Sequence, residues 1–298
     1  MIDDKNIPLS SGWYDAKSVI QIENLTYYPS SSERYVITSI SPSETVDVNS
    51  PITIQINVIK QFYVKLVSKI PVYALVNGKN ETLESGWYNN GTEIHVENIT
   101  YYPAKEVRYV ITGIQPSEKV IVTSPITITI DTVKQYYIMV KSIIPVKAII
   151  NGTQTYLNTS WINEGTLIHV LNYTYYVTNE ERYVITGISP QSFTVNSPVT
   201  VNVTTVKQFL VTINNVSTWY NQGSTVPLKA NVPIYDVGKF VGTYNVSPNT
   251  ILIVNSPITE KLVLSPNYVF YGEVGGVIAV VVAATIVVIL LKRGKKGS

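Results

Sequence analysis

The chain has 298 residues, 45% of them hydrophobic and only 14% charged, with 22 Tyr and no Cys. That apolar content excludes wholesale disorder, and zero Cys excludes a disulfide scaffold, a thiolate metal site and a Cys nucleophile. Two His, His95 and His169, leave almost nothing for a multi-His metal centre or a catalytic triad, and the formal net charge of +2 is uninformative until the charges are placed.

A period of 74 residues runs through the chain. Trp13, Trp87 and Trp161 are spaced by 74, as are Arg34, Arg108 and Arg182. The blocks read SGWYDAK, SGWYNNG and TSWINEG, then ERYVITSISP, VRYVITGIQP and ERYVITGISP, then NSPITIQI, TSPITITI and NSPVTVNV. Each copy ends in a Lys-Gln segment, at Lys60, Lys134 and Lys207. A fourth, degenerate copy carries WYNQG at Trp219, Lys239 near the Arg position, and NSPITEKL around Pro257.

At the N-terminus, IDDKNIPLSSGWY aligns with VNGKNETLESGWY and puts Asp3-Asp4 at a hairpin turn. The chain therefore opens in mid-unit, and the natural protein is expected to extend upstream or to have a misassigned start. The alternative makes a C-terminal helix the sole targeting signal. Copies two and three carry Asn-Gly between alternating apolar residues, at Asn77 and Asn151, which predicts an extra hairpin. Copy four lacks it: Lys207 to Trp219 is 12 residues, against 27 from Lys60 to Trp87.

Ile52, Ile54 and Ile56, like Ile126, Ile128 and Ile130, alternate with polar residues, the period of a half-buried strand. Ile94 and Val96 point inward by the same rule, with His95 and Glu97 outward. The fold class is therefore all-β: tandem small antiparallel β-sandwich or roll modules followed by one C-terminal transmembrane helix. The modules span 1–60 (N-terminally truncated), 61–134, 135–207 and 208–264 (shortened), with 265–273 as juxtamembrane linker. Packing between neighbours, or a Lys-Gln strand shared at each junction, would make a stiff rod of on the order of 100–150 Å.

Residues 274–291 hold no charge and as a helix reach about 27 Å, close to the hydrocarbon thickness of a bilayer. Tyr268, Phe270 and Tyr271 precede them as an aromatic belt, and Lys292, Arg293, Lys295 and Lys296 follow as a cytoplasmic basic tail, 292–298. Residues 1–273 then lie outside the cell, in a single-pass cell-membrane protein. Four of the 22 basic residues sit in the tail, leaving 18 against 20 acids outside, so the net charge reports topology and not nucleic-acid binding. Gly275, Ala279 and Ala283 make a small-residue face on which a homo-oligomer is possible.

Ten Asn-x-Ser/Thr sequons occur. The N-glycosylation candidates are Asn24, Asn80, Asn90, Asn98, Asn151, Asn158, Asn172, Asn202 and Asn215; Asn245 precedes Ser-Pro and is set aside. Each Arg before Tyr-Val-Ile-Thr reads as packing its stem over an aromatic and bonding a loop carbonyl, with a repeated anion or glycan contact as the functional alternative. The pairs Tyr27-Tyr28, Tyr101-Tyr102, Tyr136-Tyr137 and Tyr175-Tyr176 each place one ring inside and one outside. The Trp of each WY turn reads as a core plug, and the His pair as surface residues. No catalytic motif, cofactor loop or metal-ligand spacing is present, so no catalytic, cofactor-binding or metal residues and no cofactor are expected.

The run YYV…SGWYNNGTEI…RYVITGI…SPITITI…KQYY resembles the tandem β-repeats of archaeal cell-surface proteins, which are similar to divergent internalin-type B repeats. The resemblance covers nearly all of residues 1–264, with Ile114 and Ile188 where such repeats commonly have Trp. It implies an adhesive or structural role on the envelope, on the plan of membrane-anchored, S-layer-associated stalk proteins. The expected function is a non-enzymatic, glycosylated surface protein that anchors or spaces an envelope layer. Its partners would be the lipid bilayer and an envelope or S-layer protein or glycan, with no nucleic acid. The alternatives are a surface adhesin binding glycan, or the C-terminal anchor region of an extracellular enzyme whose catalytic domain lies upstream.

Overall fold

The computed structural model describes residues 1–23 and 25–294, with side chains as far as residue 289. Asn24, Lys295 and Lys296 lie outside the described residues. Up to Pro266 the regular elements are all strands, and the one helix, Tyr268–Gly294, is C-terminal. The chain is all-β, as expected, and divides into two compact units.

The first unit comprises Met1–Ile138, Ser160–Thr166 and Thr194–Val199. Its organising element is the strand Gln55–Val67, long and rich in β-branched and aromatic residues. This strand pairs antiparallel with Glu33–Ser41 of its own repeat, and residues 61–64 pair antiparallel with Gly86–Asn89 of the next. Residues 64–67 also pair parallel with residues 126–129. A separate four-stranded sheet of Lys119–Ile121, Glu93–Val96, Tyr73–Val76 and Lys79–Thr82 supplies a second apolar face. Phe62, Val64, Val72, Ala74, Ile94, Val96 and Ile128 close into one core. Each large side chain buried there contributes about 1.5–3 kcal/mol.

The second unit comprises Met139–Thr159, Leu167–Phe193 and Thr200–Ser298. Here Val199–Ile213 plays the same part. It pairs with Glu181–Ser189, with Val216–Asn221, and in parallel with residues 258–260 of Ile258–Pro266. Phe209, Val211, Val226, Leu228, Phe240, Val254 and Ile258 form a core within it. Glu260 stands where the other repeats place Ile54, Ile128 and Val201, and is 1% exposed. Its Oε1 accepts the Tyr244 N–H, and its Oε2 has no partner among the described residues.

The turns follow the local chemistry. Asn77-Gly78 and Asn151-Gly152 both have positive φ and close two-residue hairpins, Tyr73–Val76 to Lys79–Thr82 and Lys147–Ile150 to Thr153–Tyr156. Asp3 and Asp4 share that conformation, with Ile2 bridged to Lys5. In the fourth repeat Asn214-Asn215 joins Ile213 directly to Val216, so the extra hairpin is gone.

Three features add to the sequence reading. The sheets also contain parallel pairs: the strands after Ser124-Pro125 and Ser256-Pro257 start alongside the Lys-Gln strand of the preceding repeat, running in the same direction. Among the described residues nothing pairs with residues 51–54 in this way; Ile54 is half-buried and Ile56 exposed, whereas their counterparts Ile128 and Ile130 are buried. The boundaries at 60/61, 134/135 and 207/208 fall inside the long strands, because each of those strands serves two repeats.

Residues 265–273 are not a linker. Ile258–Pro266 stays paired with Asp236–Gly242 as far as Pro266, and the helix begins at Tyr268, six residues before 274. Asn267 caps it: its Oδ1 accepts the Phe270 N–H and its carbonyl the Tyr271 N–H. The window Tyr268–Ile289 is long and apolar enough to cross a bilayer, and none of it is buried against the protein.

Gly242 lies against the backbone of the last strand, where a Cβ would come within 1.9 Å of the Thr259 carbonyl oxygen. Gly242→Ala should cost about 1–3 kcal/mol through this overpacking. Gly12→Ala, with open space around it, should stay within about 0.5 kcal/mol. The urea midpoints of the β-region measure both.

Candidate functional site

Alternation along the long strands sets two faces. Phe62 and Val64, Tyr136 and Ile138, and Phe209 and Val211 are buried. Gln61 and Tyr63, Gln135 and Tyr137, and Gln208 and Leu210 therefore point to the opposite, outer side. On that side the same constellation recurs three times.

A polar row crosses three strands. Arg34 Nε donates to Gln61 Oε1 at 2.7 Å, and Gln61 Nε2 donates to Asn89 Oδ1 at 2.8 Å. Arg108, Gln135 and Asn163 repeat it at 2.7 and 2.7 Å, and Arg182, Gln208 and Asn221 at 2.8 and 2.8 Å. Beside each row the guanidinium lies over an indole: Arg34 over Trp87 at 4.6 Å, Arg108 over Trp161 at 4.6 Å, Arg182 over Trp219 at 4.2 Å.

Tyr rings close the edges. Tyr28 and Tyr63 meet Trp87 edge-on at 5.8 and 5.5 Å, and Tyr102 and Tyr137 meet Trp161 at 5.9 and 5.3 Å. Tyr176 meets Trp219 at 6.0 Å; Leu210 replaces the second Tyr, and Arg182 Nη1 donates to the Tyr176 hydroxyl at 3.3 Å. Among the described residues none of these guanidinium groups pairs with a carboxylate. Tyr28, Tyr102 and Tyr176 remain more than half exposed. The face thus presents a planar cation flanked by aromatic edges, chemistry suited to a sugar ring or a carboxylate.

These contacts revise the sequence reading. The Trp residues are not core plugs: Trp87, Trp161 and Trp219 are half-buried on the outer face, and Trp13, with no Arg or Tyr laid over it among the described residues, is fully exposed. Each Arg does pack over an aromatic, but the ring belongs to the following repeat and the hydrogen bond goes to a Gln amide, not a loop carbonyl. Tyr136 and Tyr137 divide between inside and outside as expected. Tyr27 and Tyr28 are both exposed, on a strand with a register shift between Tyr27 and Ser30. The Gln and Asn members of the rows escaped the sequence reading. Their signal was positional: Gln directly after each Lys, and Asn two residues after each Trp except Trp13.

The Lys of each Lys-Gln pair lies over the core-facing ring two residues on, at 4.8, 4.7 and 4.9 Å. Lys60 pairs with Glu33 at 2.8 Å and Lys207 with Glu181 at 2.7 Å. Repeat two has Val107 at the Glu position, and Lys134 instead reaches Glu164 at 3.2 Å. Donating to the carboxylates of Glu33 and Glu181 raises Lys60 and Lys207 above the ordinary lysine range. The Tyr136 hydroxyl, then Glu164, does so for Lys134.

His169 is exposed and bonded to Ser192, and His95 is half-buried in its sheet. Among the described residues no three His, Cys, Asp or Glu side chains converge as a metal site. Asn80, Asn90, Asn98, Asn151, Asn158, Asn172, Asn202 and Asn215 are all exposed. The Asn151 Oδ1 accepts the Leu167 N–H. No protein-family model, curated protein or solved structure matches the chain.

A cation over an exposed indole is worth about 0.5–1 kcal/mol, and an edge-on aromatic pair about 0.5–1.5 kcal/mol. Trp161→Ala should therefore lower stability by about 1–3 kcal/mol, short of the 3–5 kcal/mol expected for a core Trp. Trp13→Ala should leave it within about 0.5 kcal/mol. Urea unfolding followed by circular dichroism distinguishes the two.

Proposed function

We propose that the chain is a non-enzymatic, membrane-anchored cell-surface protein whose tandem β-modules anchor or space an envelope layer. The observation that carries this reading is the helix Tyr268–Gly294, which continues the last strand after a single residue and is apolar and unpacked along its window. Basic residues after the apolar window Tyr268–Ile289 and eight exposed sequons before it support an orientation with the β-modules outside. The cross-repeat polar rows give tandem modules a reason to hold together without disulfides. A second reading, as a glycan-binding adhesin, draws on the three outer-face clusters of Arg, Trp and half-exposed Tyr.

Protease treatment of intact cells should remove the β-modules and leave a membrane-bound C-terminal fragment. Glycosidase should shift the electrophoretic mobility of the intact chain. Solubilised in mild detergent, the protein should co-purify with an abundant layer-forming envelope protein. Release as a lone chain that binds isolated glycans would favour the adhesin, and cleavage only in lysed cells would refute both readings.

A further inference from the structure

The membrane-proximal end of the second unit carries an apolar surface that neither its core nor the helix uses. Asp236–Gly242 and Ile258–Pro266 pair in register from Gly242 opposite Glu260 to Asp236 opposite Pro266. Phe240 and Ile258 are core residues, and Leu262 packs partly against them. Beyond Leu262 the two strands leave the core as a two-stranded ribbon. Val263 and Leu264 are adjacent and so face opposite sides, yet both are 46% exposed. Both faces of this ribbon therefore carry exposed apolar side chains, although Val232 and Pro248 lie against it at Gly238.

A ribbon exposed on both faces in water is ordinarily polar, because nothing repays exposed apolar surface. This one is not. Residues 233–240 and 262–267 carry two charges between them, Asp236, which is half-buried, and Lys239, exposed at the end nearer the core. Ile234 is 73% exposed, Val237 51% and Tyr268 80%.

The ribbon is also fixed to the helix. Asn267, which caps the helix, donates its backbone N–H to the Tyr235 carbonyl at 2.9 Å and its side-chain Nδ2 to the Ile234 carbonyl at 3.0 Å. Asp236 N–H donates to the Pro233 carbonyl and tightens the turn. The Ile234-Tyr235 turn is thus held at the helix N-terminus. The first charge along the helix is Glu273, six residues after Asn267, or about 9 Å of helix. Helical side chains lean toward the N-terminus, so Glu273 keeps its carboxylate at the hydrocarbon edge with its backbone about 4–5 Å below that edge. The turn then stands about 4–5 Å outside it, within the headgroup layer, which is about 5–8 Å thick on each side.

We infer that the Ile234-Tyr235 turn and the ribbon ending at Pro266 form a second membrane contact, seated in the headgroup layer of the bilayer that the helix crosses. The inference rests on the reading that the helix spans the membrane. Continuity with that helix selects a lipid surface over a protein partner. Tyr235, Tyr268 and Tyr271 have the amphipathic rings that favour this depth. The ribbon fixes how the last module stands on the membrane, since two rigidly connected anchors define an orientation that one helix does not.

The chain has no Cys, so single-cysteine labelling reads each position cleanly. Full-length Ile234→Cys, Val281→Cys and Leu167→Cys proteins, each bearing an environment-sensitive fluorophore, are reconstituted into phosphatidylcholine vesicles with and without brominated acyl chains. Leu167 is exposed on the separate sheet of Lys147–Ile150 and Leu167–Val170. Bromine near the headgroup should cut the Ile234 signal about twofold, with the Leu167 signal unchanged. Deep bromine should quench Val281. Quenching at Val281 without quenching at Ile234 overturns the second contact and leaves the span intact. Loss of quenching at both positions overturns the span as well. A label at Ile234 shielded from aqueous iodide but insensitive to lipid bromine assigns the turn to a protein partner and also overturns the inference.

Discussion

The structure depends on one constraint: the backbone hydrogen bonds of each long Lys-Gln strand are shared between two consecutive repeats. A unit of 57–74 residues without disulfides or metal buries too little surface to be secure alone. Gln55–Val67 meets this by pairing with its own repeat through one half and with the next through the other. Val199–Ile213 does the same in the second unit. Once these strands are shared, the Ser-Pro strands must start in parallel beside them, and the Arg of one repeat must meet the Trp of the next.

The side chains reinforce that sharing. Gln61, Gln135 and Gln208 each accept from an Arg on one neighbouring strand and donate to an Asn on the other. A Glu in place of the Gln could accept from the Arg but could not donate to the Asn. The Lys one residue earlier serves the inner face, over an aromatic ring and against a carboxylate. When Val107 removes one such carboxylate, Glu164 supplies another from a different strand. The ion pair persists while its sequence position moves.

Features set by local chemistry were legible in the sequence. The Asn-Gly hairpins and the Asp3-Asp4 turn need positive φ, which few residues tolerate, so the sequence names them. The core faces at Ile94 and Val96 follow from alternation alone. The Trp residues misled because hydrophobicity says little about which face a ring occupies. The register opposite Tyr63, out of phase with the buried Phe62, decides it, and register is a tertiary fact. Parallel pairing was hidden for the same reason. The helix start was obscured by Glu273, which ends the charge-free run six residues after the true cap at Asn267. Of the outer-face site, Arg and Tyr were readable as repeated residues, but their partners lie across a repeat junction that periodicity alone does not orient.

The parallel pairing of residues 211–213 with 258–260 has a mechanical meaning. Ile258–Pro266 leads toward the helix, while Val199–Ile213 is held by the strands of the preceding repeat. A pull between the C-terminal helix and the chain before Val199 drags these two parallel strands in opposite senses along their common axis. Their hydrogen bonds are then loaded in shear and must fail together, whereas the bonds of a hairpin pulled from its open end peel one at a time. The geometry that lets a short repeat borrow its neighbour's strand also suits the chain to carrying tension.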